Sequence, residues 1–309
     1  MKKIIVLIAA VAFTGTAVAQ NNILNAKSPE EFGKLTEEQI ENNNDTPLPY
    51  GYVEQRDVLW QRTVWETIDL DERINFPLYY PVDTIRVGKD RRSLFHVLTD
   101  AAIKGDLPLY ADSYFNEKRE FADIENSLSS QTISEAGINI LNDEGIILEE
   151  GVRPLDVDTT YNIPGFDQYV NVVTVGADNV KEYRIRGVWY FDARQSELRY
   201  RLIGICPVTP DANFMDSDEG VELFWVYYPD ARQLLHEAKA FNTLNSARPI
   251  SFDHILNSRR FNALIYKMDN VQGDREIERY IADNSLMQLL ESRRLNEIIR
   301  NFELDMWNY

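Results

Sequence analysis

The chain of 309 residues has a single cysteine, Cys206, so it can form no intrachain disulfide. A protein of this size with one thiol must hold itself together by burial rather than by covalent staples. Cys206 lies in the apolar run RLIGICPV, which predicts a small buried hydrophobe instead of a reactive nucleophile. Histidine is nearly as scarce, with His96, His236 and His254 only. H-E-x-x-H, G-x-S-x-G, a glycine-rich phosphate loop and a Cys/His metal cluster are all missing from the sequence. DSDEG, residues 216–220, resembles part of a calcium loop but lacks the third spaced oxygen ligand and the downstream glutamate. Acidic pairs such as Asp156 and Asp158 could serve acid/base chemistry, but any acidic protein offers such pairs. No catalytic residue, cofactor or metal site can be nominated, which predicts a structural or binding protein. Positive charge is also short: 32 Lys and Arg stand against 50 Asp and Glu, for a net charge of −18. That sign repels phosphate backbones and argues against nucleic acid as a partner, and it disfavours adsorption on anionic lipid.

What is present begins with MKKIIVLIAAVAFTGTAVAQ. Lys2 and Lys3 form a basic start, Ile4 to Phe13 an apolar core of signal length, and Ala17-Val18-Ala19 a small-residue cleavage site. The sequence therefore predicts a signal peptide over 1–19 and export of the rest. No other stretch approaches the roughly 20 apolar residues of a spanning helix, so no direct membrane insertion is expected. A lipoprotein would need a cysteine at the cleavage point, and Cys206 is far downstream. Removing Lys2 and Lys3 leaves 30 basic against 50 acidic residues, a charge of −20. Residues 20–49 are rich in Asn, Glu and Pro and read as an exposed arm with one short helix between Ser28 and Ile40, and 50–309 as one globular region. Aromatics at 11% and apolar residues at 44% put that region outside the disordered class.

Periodicity predicts an α+β fold: an antiparallel β-meander packed with amphipathic helices and closed by C-terminal helices. Asp57 can cap a helix carrying Val58, Trp60, Val64, Trp65 and Ile68, followed by a strand INFPLYY in which Pro77 marks an edge. Ser93 caps a helix with Leu94, Val97, Leu98 and Ala101 on one face, stopped by Gly105. Residues 127–165 carry no clear pattern. VKEYRIRGVWYFD, ELRYRLIGICPV and GVELFWVYYP form the meander, with a turn at 193–196. Ser251 caps a helix over FDHILNSRRFNALIYK, and Ser285 with Gln288 makes a capping box for the last helix. There Leu295, Ile298, Ile299, Phe302 and Met306 fall on one stripe, to be buried on the core or on a partner.

Tyr-Tyr-Pro occurs twice, at 79–81 and 227–229. Each copy precedes a Leu-x-His helix pattern, Leu94 to His96 and Leu234 to His236, then Pro108-Leu109 or Pro249-Ile250, suggesting a divergent strand–helix repeat over 74–116 and 222–257. Alternation puts Phe76, Leu78 and Tyr80 on one face, and likewise Phe224, Val226 and Tyr228. A pocket built from the paired tyrosines is the alternative. His96 and His236 fall on the polar sides of their helices.

The segments PLPYGYVEQRDVLW, ERINFPLYYPVD, RRSLFHVL, GVWYFDARQSELRYRLIGICP, LFWVYYPDAR, AFNTLNSARPISFDHILNSRRF and GDREIERYIADNSLMQLLESRRLNEIIRNFELDMW together resemble the GldN family of gliding motility proteins, called PorN in non-gliding relatives. The resemblance runs from about Pro47 to the C-terminus. It implies a non-enzymatic structural subunit of a periplasmic ring in the type IX secretion system of Bacteroidetes, held at the outer membrane by a lipoprotein, the K subunit (GldK or PorK), and touching the inner-membrane-anchored M subunit (GldM or PorM). Self-association in that ring would make Tyr79, Tyr227, Trp225, Trp307 and Tyr309 candidate subunit contacts. A periplasmic glycan-binding protein or hydrolase, using Trp60, Trp65, Trp189, Trp225, Tyr79 and Tyr227 to stack on sugars, is the competing expectation.

Overall fold

The computed structural model describes Glu41 and residues 45–307 apart from 89–90, 150, 215–219, 243–244 and 246–247. The signal peptide, nearly all of the arm, most of DSDEG, the side chain of Trp307, and Tyr309 lie outside the described residues. One compact unit spans Pro47–Tyr309. Along it run β1 (Val58–Asp69), α1 (Phe76–Tyr79), α2 (Leu94–Lys104), β2 (Leu109–Tyr110), β3 (Lys118–Arg119), α3 (Phe121–Leu128), β4 (Ser129–Ile133), α4 (Glu135–Asp143), α5 (Val157–Tyr161) and β5 (Val170–Thr174). The second half holds β6 (Glu182–Asp192), β7 (Glu197–Thr209), β8 (Val221–Glu222), β9 (Trp225–Tyr227), α6 (Tyr228–Glu237), β10 (Lys239–Ala240), β11 (Ile250–Ser251), α7 (Phe252–Asn257), β12 (Leu264–Met268), α8 (Ile277–Tyr280) and α9 (Ser285–Trp307).

The main sheet has the order β12-β1-β6-β7-β9-β2-β3, with β8 also paired to β7, and every pairing is antiparallel. The α+β class and the β6–β7 meander are as the periodicity predicts, including the tight turn after Asp192, where Ser196 takes φ 55°. On one sheet face Ile68, Tyr183, Ile185, Ile205 and Val226 meet Leu94, Leu98 and Ala101 of α2, Tyr228 and Leu235 of α6, and Phe252 and Leu256 of α7 in a single core. Ser93 caps α2 as expected, its Oγ accepting the His96 N–H, and Gly105 ends it at φ 75°. Toward the β12–β1 end α9 covers the same face. Leu295 and Ile299 are buried with Val64, Ile265, Met268 and Ile277, and Phe302 stacks on Trp60 at 4.5 Å. The stripe of the last helix is thus core, at about 1.5–3 kcal/mol for each fully buried aliphatic side chain.

Four local expectations are corrected. Residues 58–69 form the long strand β1, not a helix. Their apolar spacing fits both, because a central strand buries both faces: Val64 and Ile68 point to the helix-covered side and Trp65 to the other. INFPLYY is no edge strand but a 3-10 turn, Arg73–Asn75, running into α1, with Pro77 in the first turn where its missing N–H costs nothing. Asn75, fully buried, locks this turn by donating to the carbonyls of Asp69 (2.6 Å) and Asn262 (3.1 Å) and accepting the Asn262 N–H (2.9 Å). Ser251 does cap α7, but that helix ends at Asn257 and the chain returns as β12. The cap of α9 is Asn284, whose Oδ1 accepts the Met287 N–H at 3.0 Å, in place of the expected Ser285.

The two Tyr-Tyr-Pro copies accordingly sit in different structures. Tyr79 ends α1 and Tyr80-Pro81 is a cis peptide, whereas Tyr227 ends β9 and Tyr228-Pro229 opens α6. Phe224, Val226 and Tyr228 share the core face as alternation predicts, but of the first set only Leu78 is buried. A helix and a short strand follow both copies (α2 with β2, α6 with β11), while Tyr114-Phe115-Asn116 is loop and Ile255-Leu256-Asn257 is helix. Residues 129–174, opaque to sequence reading, build a small lobe. β4 pairs with β5, and Leu141, Val157 and Phe166 make a core of their own.

Candidate docking face on the sheet

Among the described residues no helix contributes to the cluster on the opposite face of the sheet. Alternation along the strands brings Trp65 of β1, Arg184 and Arg186 of β6, Cys206 of β7, Trp225 and Tyr227 of β9, Tyr110 of β2 and Lys267 of β12 to it, with Trp65 paired in register to both Arg186 and Lys267. Its cover is the loop 111–117. Asp112 folds this loop by accepting the N–H groups of Tyr114 (3.0 Å) and Asn116 (3.1 Å) and the side-chain amide of Asn116 (3.2 Å). The loop is then pinned from below: Trp65 Nε1 donates to Ser113 Oγ (3.0 Å) and Arg186 Nη1 to the Ser113 carbonyl (2.7 Å).

Phe115 takes φ 63°, a left-handed backbone that costs a non-glycine residue energy. Its ring is returned to the sheet against Tyr110 (5.2 Å) and Tyr227 (5.3 Å). Beneath it lies Gly204, where an added Cβ would come within 2.6 Å of the ring. Any other residue at 204 would push the loop off the sheet.

Arg184, Arg186 and Lys267 lie on this face around Trp65 and Cys206. Arg184 is satisfied by Glu222 (2.6 Å) and Glu182 (3.1 Å), and Glu222 also accepts from Trp225 Nε1 (2.7 Å). Arg186 and Lys267 are not so paired. The Arg186 guanidinium stands 5.2 Å from the Trp65 ring and 5.0 Å from Tyr114, and the Lys267 ammonium 4.4 Å and 5.0 Å from the same two rings. Burial lowers the pKa of each from its ordinary value. Nε of Arg186 is buried with no hydrogen-bond partner. The nearby carboxylates are committed to other donors: Asp274 accepts from Tyr114 OH (2.8 Å) and the Asn270 N–H (3.1 Å), Asp112 holds its own loop, and Glu276 pairs with Arg279 (3.3 Å). Burial, with the hydrogen bond to Asp274, pushes the Tyr114 phenol up to about 12.

Of the residues expected at subunit contacts, Trp225 and Tyr227 share this face, and Tyr79 lies elsewhere, on α1. Trp225 is 0% exposed beside Trp65 and Cys206. Tyr227 is half-buried under Phe115, and Tyr79 is half-buried with its OH donating to the Asp178 carbonyl (3.1 Å). Cys206 is the buried hydrophobe expected, and burial pushes its thiol pKa up. His96 is half-buried against its own cap, with Ser93 Oγ 2.8 Å from Nδ1, and burial lowers its pKa; His254 is exposed. Among the described residues no group of three or more His, Cys, Asp or Glu could hold a metal ion. Nor is any described helix long and apolar enough to cross a membrane. Sequence reading missed Arg186, Lys267 and the Ser113–Phe115 loop; alternating Arg in EYRIRG was the available signal, and it reads as an ordinary solvent face.

No curated protein matches the chain. The sequence profile described as "Gliding motility associated protein GldN" matches residues 53–308, nearly the whole compact unit. The chain belongs to the GldN family, whose members are components of gliding motility and type IX secretion.

Proposed function

We propose that this protein is a non-enzymatic structural subunit of the periplasmic ring of the type IX secretion system. It is held at the outer membrane by a lipidated K subunit, contacts the M subunit anchored in the inner membrane, and associates with copies of itself. The family match over 53–308 carries this reading. The face of the sheet that carries Arg186 and Lys267 presents two half-buried cations with no ion pair among the described residues of the same chain. A standard interface buries roughly 1,600 Å² in total, so a ring subunit with several neighbours must present such faces when alone.

Glycan stacking finds less support from the same geometry. Trp65 and Trp225 are 1% and 0% exposed, Trp60 is covered by Phe302, and Trp189 packs on Tyr200 at 5.0 Å. The test is a deletion strain complemented with wild type or with His96, His236 and His254 changed to Ala. The ring reading expects loss of secretion of many unrelated proteins on deletion and full rescue by the triple variant. Rescue by wild type alone would make the histidines functional and sink the non-enzymatic reading. A pull-down from membranes, with the tag on the 20–49 segment, should recover a lipidated partner; recovery of the chain alone would refute the anchoring.

A further inference from the structure

We infer that the Arg186–Lys267 pair, on its floor of Trp65 and Tyr114, receives carboxylates from the lobe 129–174 of a second copy of this chain. The inference rests on the self-association proposed above and adds to it the two surfaces that meet.

The receiving surface is incomplete within one chain. Two adjacent cations stand over the same two rings, half-buried, without an ion pair, while every neighbouring carboxylate is bonded to other donors. Partial burial of two like charges is unfavourable. Carboxylates delivered here would accept from Lys267 Nζ and offset the two charges, with Tyr114, 39% exposed, forming the rim.

The complementary surface lies on the same molecule. Residues 129–174 hold eight Asp or Glu and one basic residue, Arg153, a charge of −7. Arg153 is itself bound to Glu125 of α3 at 3.0 Å, outside the lobe. Glu135, Asp143 and Glu144, on α4 and at its end, are exposed. Each copy lacking residues 1–19 carries −20, so copies repel unless their contact pairs opposite charges. The unpaired cations and the acidic lobe are the pieces that can do so.

The cations sit on β6 and β12, and the lobe departs after β3 and returns into β6. Among the described residues no lobe carboxylate bonds either cation within the chain. The two patches differ, so copies that each turn one patch toward a different neighbour meet head-to-tail. Repetition of such a contact gives rings when the rotation closes and filaments when it does not.

The experiment is sedimentation velocity on the purified chain lacking residues 1–19, up to about 100 μM at low salt, a range that reads weak contacts. Wild type should associate with rising concentration, and 0.5 M NaCl should disperse it. Lys267→Glu, and separately Glu135→Lys/Asp143→Lys/Glu144→Lys, should each weaken association by at least about tenfold, with Lys267→Arg near wild type. Mixing the two charge-reversed variants should restore association, because the intact lobe of one meets the intact cations of the other. Circular dichroism identifies a misfolded variant. If Lys267→Glu fails to fold, the lobe variant alone decides, since its substitutions are on exposed positions. A wild type that stays monomeric throughout overturns the inference. Association unchanged in both variants overturns this contact while leaving the ring reading standing, which the secretion assay decides separately.

Discussion

Glu66 is 1% exposed in the middle of β1, and the protein's stability should turn on how it is held. Arg259, just past α7 at φ 49°, meets it with two parallel bonds, Nη1 to Oε2 and Nη2 to Oε1, both 2.8 Å. Tyr200 OH donates to Oε2 at 3.1 Å, and the guanidinium lies 4.1 Å from the Tyr200 ring and 5.2 Å from both Trp189 and Phe261. Gly187 makes the room, since a methyl group there would overlap the Tyr200 ring. Arg259→Met keeps the apolar stem but strands a carboxylate among apolar neighbours. Breaking one side of a buried pair costs about 3–5 kcal/mol. With a urea m-value of about 3 kcal/mol/M for a chain this long, the midpoint should fall by about 1–1.7 M. Replacing both members with methionine removes the stranded charge, so Glu66→Met/Arg259→Met should lie within about 1–2 kcal/mol of wild type and be far better than the sum of the single variants. Urea unfolding followed by tryptophan fluorescence measures all four chains. A midpoint for Arg259→Met within about 0.3 M of wild type, or a double variant as unstable as the two singles combined, would refute the account.

Two shorter predictions concern the periphery. Burial and neighbouring carboxylates push Tyr50, Tyr114 and Tyr280 each up to about 12. Unfolded tyrosines ionise near about 10, so between about pH 10 and 12 the unfolded chain has released protons that the folded chain keeps, and stability must fall as pH rises through that window. Phenolate absorbance at 295 nm should lag in the folded chain behind the urea-unfolded chain over this range; superimposable titrations would contradict it. Phe302→Ala removes the stack on Trp60 and the edge contact with Phe191 at 5.9 Å, and should loosen the end of α9 by about 2 kcal/mol. Hydrogen exchange should rise over 295–306 and not in α2; unchanged protection there would mean that the helix is held by something else.

The parts of the fold legible in sequence are those where one physical signal acts alone. Ser93 and Gly105 bracket α2 because a cap and a left-handed stop are local chemistry. The meander was legible because β6 and β7 are long and joined by a tight turn. Where two signals compete, the reading failed. Pro77 can mark an edge strand or open a helix, and the deciding contact is Asn75 reaching Asn262, nearly two hundred residues away. The lobe was invisible because its core is three buried side chains from three separate short elements, too few to impose a period.

The same limit explains why the docking face was misjudged in two opposite directions. Alternation in β6 puts Arg184 and Arg186 on one side and Tyr183 and Ile185 on the other, which reads as water against core. By that rule Trp65 and Trp225, on the arginine side, should be exposed and available to a partner. They are buried because an eight-stranded sheet is wide enough for a loop to lie across its second face, and Asp112 folds that loop from within. The loop buries the two indoles and leaves Arg186 and Lys267 beside them without counter-ions. The aromatic residues nominated from sequence therefore serve as a floor, and the residues that remain free to meet another chain are the charged ones that alternation had assigned to solvent. Recognition on this face should depend on charge, and substitutions of Trp225 should act through stability instead.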